Sequence, residues 1–155
     1  MTAELALAVQ YATPFDDAPR WRVRRWVQRA ATAARASRPG LNAFALTLRF
    51  VDADEGRKLN REFRQRDYAT NVLTFEYGTD AQGTLGGDIV LCVPVLRREA
   101  AEQKKQLLHH AAHLTVHGVL HAAGYDHQRP AEARAMEDLE IKVLEDLGIG
   151  NPYQP

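Results

Sequence analysis

The histidines constrain the fold of this chain more than any other feature. All six lie between residues 109 and 127 of a 155-residue chain. His117 and His121 are four residues apart, so on a helix both side chains project from one face. Gly124 can then adopt the left-handed conformation that ends a helix, and the chain turns back to deliver His127 to the same place. The segment therefore predicts a helix and turn that build a three-histidine metal site, with a fourth position for water or substrate.

The spacing of the three imidazoles matches the H-E-x-x-H-x-x-G-x-x-H zinc sites of peptidases, where the Glu is the general base for a metal-bound water. Gly118 occupies the position of that Glu in this chain. A metal could still polarise an oxygen and lower the pKa of bound water toward about 7. A peptidase would need its base from elsewhere, so the peptidase hypothesis is weakened but not eliminated. Zinc is the expected metal, and nickel and copper are alternatives that also accept three imidazoles.

Two neighbours of the motif could support the metal ligands. Asp126 is adjacent to the third histidine and could orient an imidazole or assist proton transfer. Capping a turn is an equal alternative for it. His113 lies one helical turn before His117 and extends the same stripe. We expect His113, His109 and His110 to be exposed to solvent or to hydrogen-bond one of the metal-binding side chains, rather than to bind the metal themselves.

Composition predicts a globular protein with one domain over residues 1–155. Hydrophobic residues make up 45% of the chain and charged residues 26%. The single Cys92 cannot form an internal disulfide, which favours a reducing compartment. No apolar run approaches the roughly 20 residues of a membrane span, and the first residues do not have the pattern of a signal peptide. We therefore expect a cytoplasmic protein with no membrane association.

The charges sum to zero but are unevenly distributed. Seven arginines and no acidic residue lie between Arg20 and Arg38, and a second basic cluster lies between residues 57 and 66. Residues 132–146 contain six acidic side chains and only two basic ones. Such segregation predicts a positively charged surface that the net charge conceals. A well-solvated helix face is the alternative interpretation.

Hydrophobic periodicity predicts four strands and five helices. The strands are predicted at residues 5–11, 44–51, 71–77 and 87–93. The helices are predicted at about residues 18–37, 52–64, 94–103, 106–123 and 131–147. Trp21 and Trp26 are expected mainly in the core. Because the strands come before the paired helices, the order favours an α+β domain with a small mixed four-stranded sheet.

The histidine segment, residues 117–127, closely resembles the H-G-x-L-H-x-x-G-Y-D-H motif of the YbeY family of metal-dependent bacterial endoribonucleases. Weaker likenesses extend from Leu59 to Tyr153: L-N-x-x-[YF]-R at 59–64, T-[DN]-V-L-[ST]-F at 70–75, G-D-I-x at 87–90 and L-G-x-x-x-P-Y at 147–153. Many family members have Pro-Thr-Asp where this chain has Ala69-Thr70-Asn71. Asn71 cannot act as an acid or base, so its role here must be hydrogen bonding or structure.

The resemblance implies that His117, His121 and His127 bind one zinc ion per chain, in a helix like that of the zinc hydrolases. It also makes Arg64 the important arginine near the metal. A guanidinium can hold a phosphate bidentately and offset the charge that develops in phosphoryl transfer. A surface salt bridge is the alternative for Arg64. His117 is a further candidate for a direct part in catalysis.

The basic segments 20–38 and 57–66 are then expected to guide an RNA backbone, through contacts that weaken with salt. Arg61 and Arg66, together with Arg64, are the residues predicted to bind the substrate. Water and the ribose 2′-hydroxyl are both candidates for the nucleophile.

The resemblance further implies cleavage of single-stranded ribosomal RNA, in maturation of the 3′ end of the small-subunit RNA and in ribosome quality control. The small ribosomal subunit and its assembly factors are the implied partners, whereas DNA and membranes are not. Two alternatives stay open. One is a metallopeptidase-like hydrolase, and the other is a ribosome-assembly factor whose zinc is structural and whose contact with RNA is non-catalytic.

Overall fold

The secondary structure confirms the predicted α+β class. A computed structural model describes residues 2–126 and 128–154. Within these residues the chain forms four strands and five helices, in this order: β1 (Glu4–Tyr11), α1 (Arg20–Ser37), β2 (Ala43–Val51), α2 (Ala53–Arg64), β3 (Val72–Thr79), β4 (Thr84–Cys92), α3 (Val93–Glu102), α4 (Leu107–Ala122) and α5 (Pro130–Asp146). Each predicted element is therefore present.

The largest boundary difference is at the start of β4, which was predicted at Gly87 and begins at Thr84. The sequence around Gly78 was interpreted as turn, but Gly78 and Thr79 continue β3 and pair with Gly86 and Leu85. The turn itself is shorter. It is closed by Asp80, whose Oδ1 accepts hydrogen bonds from the backbone N–H groups of Gln82 and Thr84.

The sheet is mixed, with strand order β1-β2-β4-β3. β1 pairs with β2 and β2 with β4 in parallel, whereas β3 and β4 form an antiparallel hairpin. The helix α1 makes the long crossover that a parallel β1–β2 pair requires. β1 and β3 are consequently the two edge strands, on opposite sides of the sheet.

The core lies between one face of the sheet and helices α1, α4 and α5. Alternate residues of β2 point into it, and Phe44, Leu48 and Phe50 are almost completely buried. Fully burying a side chain of this size contributes about 1.5–3 kcal/mol. The other face carries a smaller apolar cluster that includes Leu59 of α2. That cluster holds α2 beside β3 and β4.

Trp21 contradicts the prediction that both tryptophans lie in the core. Its side chain is 61% exposed, whereas Trp26 is only 4% exposed. The buried face of α1 is defined by Val23, Trp26 and Val27, and position 21 is out of phase with that face at 3.6 residues per turn. Trp21 instead stacks with Arg22, whose guanidinium carbon is 4.7 Å from the ring centroid.

The helix α4 is the element that places the histidines. It packs against α1, α3, α5 and the strands β3 and β4. Its residues are buried almost all round, which is typical of a central helix. Within residues 2–126 and 128–154 there is no helix whose length and hydropathy would let it cross a membrane.

Candidate active site

A cleft of about 460 Å³ opens between the C-terminal end of α2, residues 65–71, β3 and α4. His117 and His121 line it from α4, and Arg64 lines it from α2. Arg66 and Tyr68 line it from the segment between α2 and β3. Residues far apart in the sequence therefore meet in one cavity at the β3 edge of the sheet.

His117 and His121 lie on adjacent turns of α4, as their spacing predicted, with ring centroids 6.3 Å apart. His117 Nδ1 is 2.6 Å from Glu140 Oε1, and His121 Nδ1 is 2.9 Å from the carbonyl oxygen of Tyr125. A carbonyl or carboxylate oxygen can only accept, so each Nδ1 carries the hydrogen and donates it. Nε2 is therefore the atom through which each imidazole would coordinate a metal ion.

The end of α4 brings Tyr125 back to His121. Gly124 has φ +101°, the left-handed conformation that was predicted to stop this helix. The N–H of Gly124 then donates to the carbonyl of His121, and the N–H of Tyr125 donates to that of Leu120. This turn directs the carbonyl of Tyr125 toward the His121 ring.

The third predicted ligand, His127, lies outside the described residues. Within residues 2–126 and 128–154, no group of three or more His, Cys, Asp or Glu side chains is arranged to hold a metal ion. Of the described residues, His117 and His121 are the two imidazoles that line the cleft. Their Nδ1 atoms are held by oxygen acceptors, and this arrangement fits a divalent metal that prefers nitrogen ligands.

Glu140 of α5 is a fully buried carboxylate that the sequence interpretation missed. Its Oε1 accepts from His117, its Oε2 accepts from the hydroxyl of Tyr153, and Oε2 is also 3.7 Å from His113 Nε2. Burial opposes ionisation of Glu140. The contacts from His113, His117 and Tyr153 outweigh burial and lower its pKa to about 2. Glu140 is therefore a buried anion that faces His117.

A signal for Glu140 existed in the sequence. Residues 132–146 form one acidic segment of the last predicted helix, yet Glu140 is in helical phase with Met136, Val143 and Leu144, all buried. An acidic residue on the apolar face of an amphipathic helix is expected to have a buried partner. The helical phase of Glu140 therefore predicts a buried carboxylate, unlike that of the exposed acidic residues of α5.

The other histidines occupy different surroundings. His113 lies behind Glu140, with its Nε2 3.3 Å from the hydroxyl of Tyr153. Its Nε2 is also 3.7 Å from Glu140 Oε2, so His113 contacts the carboxylate partner of His117 and does not hydrogen-bond His117 itself. His110 departs from both expectations, because it is buried and its Nε2 is 2.9 Å from Glu99 Oε1.

Asp126 caps the turn that follows α4. Its Oδ1 accepts a hydrogen bond from the backbone N–H of Gln128 at 3.0 Å, which is the turn-capping alternative. Asp126 also lines a second cavity, of about 500 Å³, together with Arg64 and His121. This cavity shares Arg64, Thr74 and His121 with the first, so the two form one continuous groove.

Arg64 lies on the last turn of α2, and its Nη2 donates to the carbonyl oxygen of Thr74 in β3 at 2.7 Å. Among the described residues no carboxylate forms an ion pair with it, so the salt-bridge alternative is not what the structure contains. The bond to Thr74 holds the guanidinium at the cleft. Its remaining N–H groups are donors for an anion.

The three arginines predicted to bind the substrate do not all reach the cleft. Arg64 and Arg66 line it. Arg61 is 57% exposed and its Nη1 is 3.9 Å from Asp67 Oδ1, beside a bidentate pair between Arg57 and Asp67. The Arg57 hydrogen bonds lower the pKa of Asp67, with Arg61 adding a smaller effect. Arg61 thus lies beside Arg57 and Asp67 and is not among the residues that line the cleft.

Arg20 and Arg24 of α1 lie at the β1 edge of the sheet, opposite the β3 edge where the cleft opens. Arg20 donates to the carbonyl oxygen of Val9, and Arg24 donates to that of Leu5, so both cover the edge strand β1. Arg38, just after α1, is the exception, because its guanidinium carbon is 4.1 Å from the centroid of the Tyr125 ring. Arg20 and Arg24 therefore do not line this cleft, and guidance of the RNA backbone by segment 20–38 stays a prediction.

Asn71 has a structural role, as its chemistry required. Its Nδ2 lies 3.2 and 3.3 Å from the two oxygens of Glu99, and its Oδ1 accepts from the N–H of Val72 at 2.7 Å. Glu99 in turn contacts His110. These bonds fix the start of β3, which forms the floor of the cleft.

Comparison with known proteins places this chain in a family. The sequence model of the family described as Endoribonuclease YbeY matches residues 11–148. The chain belongs to that family. Endoribonuclease YbeY of Bordetella pertussis is 62% identical over 154 residues, covering 99% of this chain and 98% of the relative. Endoribonuclease YbeY of Thiobacillus denitrificans is 51% identical over 154 residues and 99% of each chain. The resemblance suggested by the sequence motifs is confirmed.

The fold is also shared with a solved structure. The solution structure of a Thermotoga maritima protein matches 97% of this YbeY-family chain and 100% of its own, with a TM-score of 0.59. The two sequences are 18% identical. This likeness therefore concerns the fold alone.

Proposed function

We propose that this YbeY-family chain is a metal-dependent endoribonuclease that cleaves single-stranded RNA in the cleft between α2, β3 and α4. One observation carries the proposal: Arg64, anchored on Thr74, lines the same cleft as His117 and His121. A fixed guanidinium beside a pair of imidazoles is suited to a phosphodiester, because it can bind the phosphate and offset charge in the transition state. The family name supports RNA as the substrate.

The proposed metal is zinc, one ion per chain, held by His117, His121 and His127. Zinc, when bound, would supply Lewis acidity toward a phosphate oxygen. The contacts to Glu140 and Tyr125 support this assignment, since metal-binding histidines almost always donate their second ring N–H to an oxygen acceptor. His117 would then serve catalysis as a ligand, since a coordinated imidazole is poorly placed to transfer protons.

Three other residues of the cleft would bind the RNA itself. Arg64 would clamp the phosphate that reacts, and Arg66 would bind a neighbouring phosphate. Tyr68 lines the cleft with its side chain 52% exposed, so its ring is available for a base to stack on. Cationic and aromatic side chains together favour a single strand, because its bases are free to stack.

The physiological substrate is proposed from the family resemblance. It would be ribosomal RNA, with processing at the 3′ end of the small-subunit RNA and a part in ribosome quality control. The small ribosomal subunit and its assembly factors would be the partners, in the cytoplasm. Residues 1–155 would act as one domain.

Purified protein should be tested on labelled single-stranded RNA and on a duplex of the same sequence. The wild type should cleave the single strand, chelation of metal should abolish cleavage, and Arg64→Ala and His117→Ala should each reduce it by at least about 10²-fold. Arg98→Ala is the matched control, because Arg98 is 62% exposed on α3 and pairs only loosely with Glu102.

Metal content should be measured on the same preparations. We expect about one zinc per wild-type chain and a loss of zinc in His117→Ala. Cleavage that survives both substitutions would identify a contaminating nuclease and would reject the proposal. Zinc retained with no cleavage by any preparation would favour the non-catalytic assembly factor.

A further inference from the structure

We propose that the C-terminal segment 149–154 is a working part of the metal centre: Tyr153 holds Glu140, and Glu140 orients His117. Tyr153 and Glu140 would be positioning residues, since neither lines the cleft and both reach the site through His117. The inference rests on the proposed zinc site and extends it to a segment that follows the last helix.

The two oxygens of Glu140 have different partners. Oε1 is 2.6 Å from His117 Nδ1, and Oε2 accepts the hydrogen bond from the hydroxyl of Tyr153. His113 Nε2 is 3.7 Å from Oε2, which is too long for a good hydrogen bond. Tyr153 is therefore the principal donor to Oε2. Without it, one oxygen of a fully buried carboxylate would lose its main partner, and the carboxylate could rotate away from His117.

The segment is fastened at several points around this contact. Lys105 Nζ donates to the carbonyl oxygen of Pro152 at 2.8 Å. The N–H of Tyr153 donates to Asn151 Oδ1 at 2.8 Å. The Tyr153 ring meets His113 edge-on, with centroids 5.4 Å apart and an interplanar angle of 84°. These contacts fix the direction in which the hydroxyl of Tyr153 points.

The partial exposure of Tyr153 indicates that the residue acts through the hydrogen bond of its hydroxyl more than through packing of its ring. The residue is 45% exposed, so its ring fills little of the core. Its hydroxyl nevertheless reaches a carboxylate that is completely buried. A tyrosine that served only to cover a hydrophobic surface would be replaceable by phenylalanine, whereas a positioning tyrosine would not.

The decisive measurement is zinc affinity of the full chain, determined by competition with a chelating dye. Removing an outer partner of a metal-binding histidine typically weakens metal binding about 10–100-fold. We expect Glu140→Gln to fall in that range and Tyr153→Phe to weaken zinc binding about 3–10-fold, since it leaves Glu140 in place. Tyr11→Phe is the matched control, because the hydroxyl of Tyr11 donates to the carbonyl oxygen of Ala18, away from the site.

A second readout should follow the His117 ring in zinc-free protein. Nitrogen NMR of the imidazole distinguishes which ring nitrogen carries the hydrogen. The wild type and Tyr11→Phe should have it on Nδ1, whereas Tyr153→Phe should have a measurable fraction on Nε2. A merely structural role for Tyr153 would leave this signal unchanged.

The outcomes separate this proposal from the one it rests on. If the wild type binds no zinc, the site itself is wrong and this inference is overturned with it. If the wild type binds zinc and Tyr153→Phe binds it equally well, with an unchanged His117 signal, only the role of the C-terminal segment is overturned. Tyr153→Phe keeps the test valid if Glu140→Gln does not fold, because Tyr153 is partly exposed.

Discussion

Gly118 of α4 packs directly on Ile89 of β4: a Cβ atom added at Gly118 would lie 2.7 Å from Ile89 Cγ2. Ile89 is 1% exposed, so its methyl group lies in the closely packed core and resists displacement. In the peptidase motif this helix position carries the general-base Glu. Here the sheet occupies the space that any side chain would need. The contact therefore argues against the metallopeptidase alternative for a steric reason.

Replacing Gly118 with Ala should destabilise the protein. An added methyl in a packed core lowers the stability by about 1–3 kcal/mol. The better helix propensity of Ala offsets about 1 kcal/mol of that loss. We expect a net loss of up to about 2 kcal/mol in the free energy of unfolding, measured by urea denaturation. The double variant Gly118→Ala with Ile89→Ala should lose less than the sum of the two single variants, since Ile89→Ala removes the clashing methyl. A double variant that loses as much stability as the two single variants together would contradict the contact.

The sequence carried enough information for the order of elements and for the histidine helix. Both follow from local physics: apolar periods for the strands and helices, the four-residue repeat for His117 and His121, and a glycine with positive φ at 124. Trp21 was misplaced because it is a strongly apolar residue near the start of a helix, where composition gives little guidance on which face it occupies.

The residues that support the site were harder to predict, because their partners are distant in sequence. Glu140 is stabilised by donors from α4 and from the C-terminal segment, which only the tertiary fold brings together. Arg61 and Arg66 looked equivalent in one basic cluster. However, α2 ends at Arg64, and Gln65 has φ +57°, so the chain changes direction between the two arginines.

Arg64→Lys should reduce cleavage nearly as much as Arg64→Ala. Lysine keeps the positive charge but lacks the planar fork that can bond Thr74 and a phosphate at once. We expect kcat to fall about 10²-fold with a smaller change in KM, since the lost interaction strengthens in the transition state. Cleavage rates measured on labelled RNA under single-turnover conditions would test the expected fall in the rate of the chemical step. Wild-type activity in Arg64→Lys would mean that charge alone suffices and that the bidentate role is wrong.

The two basic segments should differ in their contribution to RNA binding. For a single strand, the logarithm of the binding constant falls with the logarithm of salt concentration by about 0.7 per phosphate contact. Arg66→Ala should reduce that slope by about 0.7, because Arg66 lines the cleft. Arg29→Ala should leave it unchanged, because Arg29 is exposed on α1 and is not among the residues that line the cleft. Fluorescence anisotropy at several salt concentrations measures the slope for each variant. An equal reduction in the two variants would show that α1 contacts the RNA as much as the cleft does.

Tyr68 should contribute stacking energy specific to single strands. Its carbonyl oxygen accepts from Asn60 Nδ2 at 2.7 Å, and Asn60 is 2% exposed, so the backbone at Tyr68 is anchored while the side chain is open. Stacking of one base on an aromatic ring is worth about 1–3 kcal/mol. Tyr68→Ala should therefore weaken single-stranded RNA binding by about 5–100-fold, whereas Tyr68→Phe should bind normally because it keeps the ring. Anisotropy on a single strand and on a duplex separates the effects: equal losses on both, or a loss in Tyr68→Phe as large as in Tyr68→Ala, would point to hydrogen bonding or loop disruption in place of stacking.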